Sequence, residues 1–316
     1  MAKVTKKMRN LRDGYSSALI KLGHENENIV VLDADLALST KTKRFGTVFP
    51  ERFFDCGIAE ANMMGIAAGL ATCGKIAFAS TFAVFATGRC YDQIRQSIAY
   101  PELNVKIVAT HAGISVGGDG ASHQMLEDIA LMRVLPNMRV IAPADATEME
   151  DVIPVIAETP GPFYVRIGRA DAPIIFERHT KFKIGKAKML RRGNDITIVA
   201  TGTMTAEALR AYDLLKKEGI KARILHMPTI KPVDKAALKK AAKETGAIIT
   251  CEEHSVIGGL GGAVAQAISN EPVPMERIGI HDVFGESGGA WELMEKYGLT
   301  AKNIAKVAKK MIKKKG

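Results

Sequence analysis

The chain has 316 residues, of which 47% are apolar and 25% are charged. This ordinary globular balance excludes a disordered, collagen-like or disulfide-scaffold protein, and the length is enough for two domains. Much of the net charge of +10 lies in two stretches, 178–192 and 302–316, each with seven basic residues and no acid. Neither stretch carries the interleaved aromatic side chains of single-strand nucleic-acid binders. We therefore expect a solvated linker, a solvated helix end and no nucleic-acid partner.

Cysteine usage and hydropathy point to a reducing compartment. The four cysteines form no C-x-x-C pair, which excludes a zinc ribbon and a thioredoxin-like motif; they are Cys56, Cys73, Cys90 and Cys251. The N-terminus lacks the apolar segment of a signal peptide, and no apolar run is long enough to span a bilayer. We predict a soluble, cytoplasmic protein without membrane contact.

Short apolar runs alternate with amphipathic helical patterns along the chain, which is typical of an α/β fold. Strands are predicted at 28–35, 75–81, 105–111, 138–144 and 162–168, with helices at 11–26, 57–74 and 146–158. The pattern pauses at the first basic stretch. It resumes with strands at 195–202, 221–230 and 247–254, and with helices at 205–220, 234–246 and 261–270. We predict two doubly wound domains, 1–178 and 193–316, joined by an exposed linker at 179–192.

Two glycine-rich motifs suggest ligand sites that their spacing does not support. GGDG (117–120) resembles the start of a motif that holds Mg²⁺ and a diphosphate, but the motif needs an Asn much further along than Asn137. GGLGG (258–262) follows a strand and opens a helix, yet its spacing is not G-x-G-x-x-G. The second motif favours a tight turn, and no metal site is predicted in this chain.

The segment THAGISVGGDGASHQ (110–124) carries the densest set of reactive side chains. His111 and His123 flank a glycine-rich loop that also contains Asp119. Glycines allow a backbone to approach a ligand closely, and imidazoles exchange protons near neutral pH. This combination favours binding of, and proton exchange with, a hydroxylated or phosphorylated substrate.

Two further segments each leave two interpretations open. In DCGIAEANMMGIAAGLA (55–71), Glu60 is the only charge between Asp55 and Lys75. It is either a helix N-terminal acid or a buried functional carboxylate that needs a partner. In STFAVFATGRCYDQIR (80–95), Phe82 and Phe85 are either core residues or a stacking surface for a flat ligand.

Taken in order, these segments resemble a known family. GIAE, STFAVF, THAGISVGGDGASHQ and LPNMRVIAPADATE resemble the pyrimidine-binding domain of transketolase, and ITIVATGTMTAEAL and TCEEHSVIGGLGGAVAQAI resemble its C-terminal domain. The resemblance covers essentially the whole chain, while the N-terminal half that grips Mg²⁺ and diphosphate is missing. The chain thus resembles the C-terminal subunit of a split transketolase of the pentose phosphate pathway. An N-terminal subunit with a GDG…N motif would complete it. The chain would also self-associate through its pyrimidine-binding domain, so a heterotetramer is the simplest assembly.

The resemblance implies how the cofactor, thiamine diphosphate, would bind. Glu60 would hydrogen-bond the aminopyrimidine ring nitrogen, Phe82 and Phe85 would form the pyrimidine wall, and Asp35 would lie near the thiazolium. Mg²⁺ and diphosphate would be held by the partner subunit. The chain departs from the family pattern at Ala61 and Gly88, where a His and a Tyr are frequent.

The resemblance also implies a sugar-phosphate site. Phosphate contacts are expected from Arg9, Ser39, His111 and Arg166, with Arg169 as the competitor of Arg166. Asp119 would bond the hydroxyl on the second carbon of the donor, and His123 would bond the hydroxyl and carbonyl at the reacting centre.

Three alternatives are weighed against this assignment. The beta subunit of a 2-oxoacid dehydrogenase has the same two domains, but a His-Asp-His set suits a polyhydroxylated phosphorylated substrate better. Deoxyxylulose-phosphate synthase has a similar loop, but it is usually one long chain and tends to have Arg at the position of His111. A non-catalytic assembly partner is disfavoured because Glu60, His111, Asp119 and His123 are all present.

Overall fold

The structure, a computed structural model, describes residues 2–315, the last of them by its main chain alone. The strands are β1 Met8–Arg9, β2 Ile29–Asp33, β3 Phe53–Asp55, β4 Ile76–Ser80, β5 Val105–Ala109, β6 Arg139–Ile141, β7 Phe163–Arg166, β8 Ala172–Pro173, β9 Lys188–Arg191, β10 Ile196–Ala200, β11 Ala222–His226, β12 Thr229–Lys231, β13 Ile248–Ser255 and β14 Met275–Ile280. The helices are α1 Leu11–Glu25, α2 Ala37–Thr40, α3 Lys43–Val48, α4 Glu60–Thr72, α5 Tyr91–Gln93, α6 Asp128–Val134, α7 Ala146–Glu158, α8 Met204–Lys217, α9 Lys235–Thr245, α10 Leu260–Ala267, α11 Ala290–Lys296 and α12 Ala301–Lys315.

The first domain is built on a sheet of order β12-β6-β7-β5-β4-β2-β3, parallel except for the edge strand β12. Strands β2 and β5 are buried along their whole length, as expected of parallel strands covered on both faces. Alternate residues of β2 enter opposite cores. Val30 and Leu32 pack in the core that includes Met63 of α4, whereas Ile29 and Val31 pack in the core that includes Tyr15 of α1.

The second domain has a sheet of order β14-β13-β10-β11-β9, in which only β9 runs antiparallel to its neighbour. Helices α8 and α12 pack against each other and contact this sheet. The prediction of two doubly wound α/β domains is confirmed. Within residues 2–315, no helix has the length and apolarity that crossing a membrane requires.

The structure corrects two of the predicted segments. The run at 221–230 is two strands, β11 and β12, which belong to different sheets because the chain turns at Met227 and Pro228. The predicted exposed linker is partly ordered, since its end forms β9 and pairs with β11. There the Nζ of Lys188 donates to the buried carboxylate of Glu148 at 2.8 Å, so this part of the basic stretch is not a solvated linker.

A buried ionic network joins the two domains around Glu148 on α7. One carboxylate oxygen contacts the Nε2 of His226 at 2.7 Å, and the other accepts from Lys188 at 2.8 Å. Burial alone would raise the pKa of Glu148, but the neighbouring His226 and Lys188 lower it to about 2. The carboxylate of Glu148 is therefore stabilised inside the domain interface by these two partners.

Removing Glu148 should destabilise the chain strongly. Glu148→Ala leaves Lys188 and His226 facing each other without a counter-charge, and breaking a buried pair in this way costs about 3–5 kcal/mol. Glu158→Ala, at the exposed end of the same helix, is the matched control. Thermal unfolding followed by circular dichroism should show a clear decrease of the midpoint for Glu148→Ala and almost none for Glu158→Ala. Equal midpoints would contradict the role of the network.

Candidate active site

The candidate site lies where several parallel strands of the first sheet end. Ser39 follows β2, Phe82 follows β4, His111 follows β5 and Arg169 follows β7. These four strands are consecutive neighbours in the order β7-β5-β4-β2, so the loops after them meet at the carboxyl edge of the sheet. Such edges are where open α/β sheets bind ligands.

Flat side chains form a wall at this edge. Phe82 stacks on His111 with ring centroids 3.7 Å apart and planes at 21°, and it lies nearly parallel to Phe85 at 5.8 Å. His123 meets the ring of Phe85 edge-on at 5.5 Å. The predicted aromatic pair and the two predicted histidines are thus brought together into one surface, which we call the aromatic wall.

A buried carboxylate lies next to this wall. Glu60 is the first residue of α4 and is 3% exposed, and both of its oxygens lie 2.9 Å from the Nη1 of Arg89. The guanidinium carbon of Arg89 lies 4.5 Å from the ring centroid of Phe85. Glu60 therefore has the partner that a buried carboxylate needs, and Arg89 links it to the wall.

His111 is held in an unusual and uncharged state. Its backbone is in the left-handed region, with φ of 58°, and its Nδ1 lies 2.9 Å from the hydroxyl of Thr110. Burial, followed by the positive charges of Arg12 and Arg169, lowers the pKa of His111 to about 3. At neutral pH the ring is therefore a neutral hydrogen-bonding group beside two cations.

Arg12 belongs to the site, although the sequence analysis did not select it. Its Nε donates to the Oδ1 of Asn10 at 2.8 Å, its Nη1 to the carbonyl of Ser39 at 2.7 Å, and its Nη2 to the carbonyl of Arg169 at 3.0 Å. Arg169 in turn donates to the carbonyl of Val116 at 2.9 Å. The sequence contains one signal for Arg12. A cation in the first turn of a helix interacts unfavourably with the helix dipole, so its position there indicates a specific contact.

Two of the predicted phosphate arginines are engaged elsewhere. Arg9 is paired with Glu150 of α7 at 2.5 Å. Arg166 is 8% exposed; its Nε donates to Asp128 at 2.8 Å, and its Nη2 donates to the carbonyl of Glu253 at 2.7 Å in the second domain. The phosphate role predicted for Arg166 does not fit this geometry, because its guanidinium is already bound inside the domain interface. Arg169, its competitor, fits better.

The two predicted aspartates reach solvent at the rim. Asp119 is exposed at the end of the short 3₁₀ segment Ile114–Asp119, and Asp35 is exposed in a left-handed turn with φ of 59°. The loop of Asp119 is supported by the second domain. A Cβ on Gly120 would lie 2.5 Å from the hydroxyl of Ser287, and φ at this glycine is 73°, so only glycine allows this close approach.

Two family models match the chain and show which family it belongs to. The family model of the transketolase pyrimidine-binding domain matches residues 7–174, and that of the transketolase C-terminal domain matches residues 185–304. The chain belongs to the transketolase family. The prediction of this family, made from the ordered motifs, is confirmed.

The most informative relatives are themselves single subunits. The chain is 54% identical over 318 residues to a Methanocaldococcus jannaschii protein named as a transketolase C-terminal section, covering 99% of this chain and 100% of that one. It is 44% identical to a 6-deoxy-6-sulfo-D-fructose transketolase subunit of Clostridium, covering 96% and 95% of the two chains. The chain is thus similar over its whole length to transketolase subunits.

Solved transketolase structures also resemble this chain in fold. A split-gene transketolase, described as an inactive β4 tetramer, is 54% identical with a TM-score of 0.91, covering 97% of this chain and 99% of that one. Transketolase from Leishmania mexicana shares the fold with a TM-score of 0.84, at 24% identity, and this chain covers 47% of it. The chain is therefore a transketolase-family subunit that corresponds in fold to about half of a one-chain transketolase.

The family generally uses thiamine diphosphate, and one end of that cofactor fits the residues present. The aromatic wall and the buried carboxylate of Glu60 offer a flat surface and a hydrogen-bond acceptor for a pyrimidine ring. A Cβ on Gly88 would meet no atom within 4 Å, so the position where the family often has Tyr is open space. Among residues 2–315, no group of three His, Cys, Asp or Glu side chains is arranged to hold a metal ion.

The two cations beside His111 should control its protonation. Arg12→Met or Arg169→Met removes one positive charge, so the pKa of His111 should rise from about 3 while remaining below its ordinary value, because burial is the larger cause. Arg9→Met is the control, since Arg9 is paired with Glu150. Imidazole ¹³C chemical shifts measured against pH would report the change. A pKa that moves equally in all three variants would contradict this assignment.

Proposed function

We propose that this chain is the C-terminal subunit of a split transketolase, which transfers a two-carbon ketol unit from a ketose phosphate to an aldose phosphate. The observation that carries the proposal is the arrangement of two half-sites on one sheet edge. Glu60 and the aromatic wall suit a pyrimidine, while Arg12, Arg169 and neutral His111 suit a phosphate. The diphosphate and Mg²⁺ are assigned to an N-terminal partner, because the described part of this chain has no group of three His, Cys, Asp or Glu side chains arranged to hold a metal ion.

Glu60, Phe82 and Phe85 would bind and orient the pyrimidine ring of thiamine diphosphate. In enzymes of this family, the bound cofactor acts as an electron sink for the two-carbon unit. The carboxylate of Glu60 would hold a proton at the ring nitrogen, and the two phenylalanines would exclude water from one face. Asp35, in the turn after β2, would lie towards the thiazolium.

The phosphate end of the substrate is assigned to Arg12, Arg169, Ser39 and His111. Guanidinium groups bind phosphate in a bidentate manner, and a neutral imidazole adds a hydrogen-bond donor without a third charge. Arg9 and Arg166 are not included, because each is paired with a carboxylate, whereas the hydrogen bonds of Arg12 and Arg169 go to neutral oxygens. At the rim, Asp119 would bond a donor hydroxyl, and His123 would hold or move a proton at the reacting hydroxyl or carbonyl.

Exposed apolar side chains beside the site support assembly with other subunits. Leu38 is 83% exposed in α2, and Ile58 is 79% exposed just before α4. Such residues are typical of surfaces that are covered in an assembly. Two copies of this chain with two copies of the partner form the simplest closed heterotetramer. The pentose phosphate pathway and a cytoplasmic location are part of this proposal.

Reconstitution tests the proposal directly. The purified chain should have no ketol-transfer activity with thiamine diphosphate and Mg²⁺, because it lacks the diphosphate site. Adding the N-terminal subunit should produce activity, and Glu60→Gln in the same assembly should reduce it by about 10²–10⁴-fold. A coupled assay with a ketose phosphate and an aldose phosphate measures both. Full activity of the chain alone would contradict the proposal.

The assignment of the phosphate arginines is tested by comparing three positions. Arg12→Ala and Arg169→Ala each remove a charge-assisted contact of about 1.5–3 kcal/mol, so kcat/KM for phosphorylated donors should decrease by about 10- to 150-fold. An unphosphorylated donor such as hydroxypyruvate should be affected much less. Arg9→Ala is the control and should leave both donors unchanged. A selective loss in Arg9→Ala would instead support the assignment made from sequence.

A further inference from the structure

Arg89 occupies the space between the two groups that are assigned to the pyrimidine ring. Its guanidinium contacts both oxygens of Glu60 at 2.9 Å and lies 4.5 Å from the ring centroid of Phe85. A pyrimidine ring that is hydrogen-bonded to Glu60 and packed on Phe85 needs the same two contacts. A guanidinium is itself flat and carries N–H donors, so it satisfies both groups, as the ring would with a proton between its nitrogen and the carboxylate.

The surroundings of Arg89 allow it to move. Its side chain is 52% exposed, whereas that of its partner Glu60 is 3% exposed. Arg89 ends the wide π-helical turn Val84–Arg89, an irregularity that is frequent at functional sites. The neighbouring Gly88 is bordered by open space. The guanidinium can therefore leave the carboxylate for solvent without disturbing the core.

We infer that Arg89 is an internal ligand of the pyrimidine site, which the cofactor ring displaces when it binds. This inference rests on the proposed function. In the chain without cofactor, Arg89 compensates the buried charge of Glu60 and covers Phe85. When the ring enters, its nitrogen and the carboxylate of Glu60 share one proton taken up from solvent, which replaces the positive charge of Arg89, the ring packs on Phe85, and Arg89 turns outward. The occupancy of the site by Arg89 therefore lowers the apparent affinity for the cofactor, because only the open fraction of the protein can bind it.

The first part of the test concerns the pair itself. Unfolding midpoints of the full chain without ligand are measured for wild type, Arg89→Met, Glu60→Gln and the double variant. Arg89→Met should lower the midpoint, because it leaves Glu60 buried and unpaired. The double variant should lose less than the sum of the two single losses. Additive losses would overturn the inference, since the pair would then contribute nothing to the free chain.

The second part concerns competition, with thiamine as the probe because it carries the pyrimidine and lacks the diphosphate. The increase of the unfolding midpoint with thiamine concentration gives the affinity for wild type, Arg89→Met and Arg95→Met. Arg95 is an exposed arginine two turns further along and serves as the charge-matched control. If Arg89 fills the site about 80–90% of the time, Arg89→Met should bind thiamine about 5- to 10-fold more tightly than the other two.

The outcomes separate this inference from the function on which it rests. Thiamine binding that is equal or weaker in Arg89→Met would overturn the inference, while the pyrimidine site itself would stand. No binding in any variant would also overturn the inference, because no ring would then compete with Arg89, whereas the proposed function is decided separately by reconstitution with the partner subunit. Loss of binding in Glu60→Gln, together with tighter binding in Arg89→Met, is the expected result.

Discussion

The structure depends on one constraint, which is that a charge removed from water must find a partner. At the domain interface, the two members of a hydrogen-bonded pair belong to different domains. Arg166 of the first domain donates to the carbonyl of Glu253, whose side chain accepts from the backbone N–H of Ser115 at 2.7 Å and from Thr203 at 3.1 Å. The loop between the two site histidines is thus fixed by the second domain. A role for the C-terminal domain follows, because it holds the catalytic edge of the first domain in place.

The same constraint has a different solution at each end of the site. Buried Glu60 is paired with the half-exposed Arg89, and a ligand that makes the same contacts could take the place of that partner. His111 gives up its charge, because burial and two neighbouring cations make protonation unfavourable. A neutral imidazole beside Arg12 and Arg169 leaves the proposed phosphate end positive without adding a further repulsive charge.

Much of the fold and part of the site could be predicted from the sequence. Buried strands with continuous apolar runs and helices with N-cap residues such as Asp145 are local signals, and the motifs around Glu60, Phe82 and His111 lie at the ends of those elements. The functions of the arginines could not be predicted in the same way. Arg9 and Arg12 are three residues apart, and which of them faces the sheet edge depends on contacts with Glu150 and Ser39, which are far away in the chain. The division of the predicted strand 221–230 into β11 and β12 could not be predicted for a similar reason, since β12 pairs with the sheet of the other domain.

The order of the strands accounts for the division of the site. Along β7-β5-β4-β2-β3, the phosphate arginine Arg169 follows the first strand, and Glu60 lies just after the last. The loops that carry His111 and Phe82 follow the strands between these two. A sugar phosphate approaching from one end and a pyrimidine held at the other would therefore meet at the aromatic wall. Under the proposed function, both half-sites lie on this edge, so the diphosphate would extend away from it towards a second subunit.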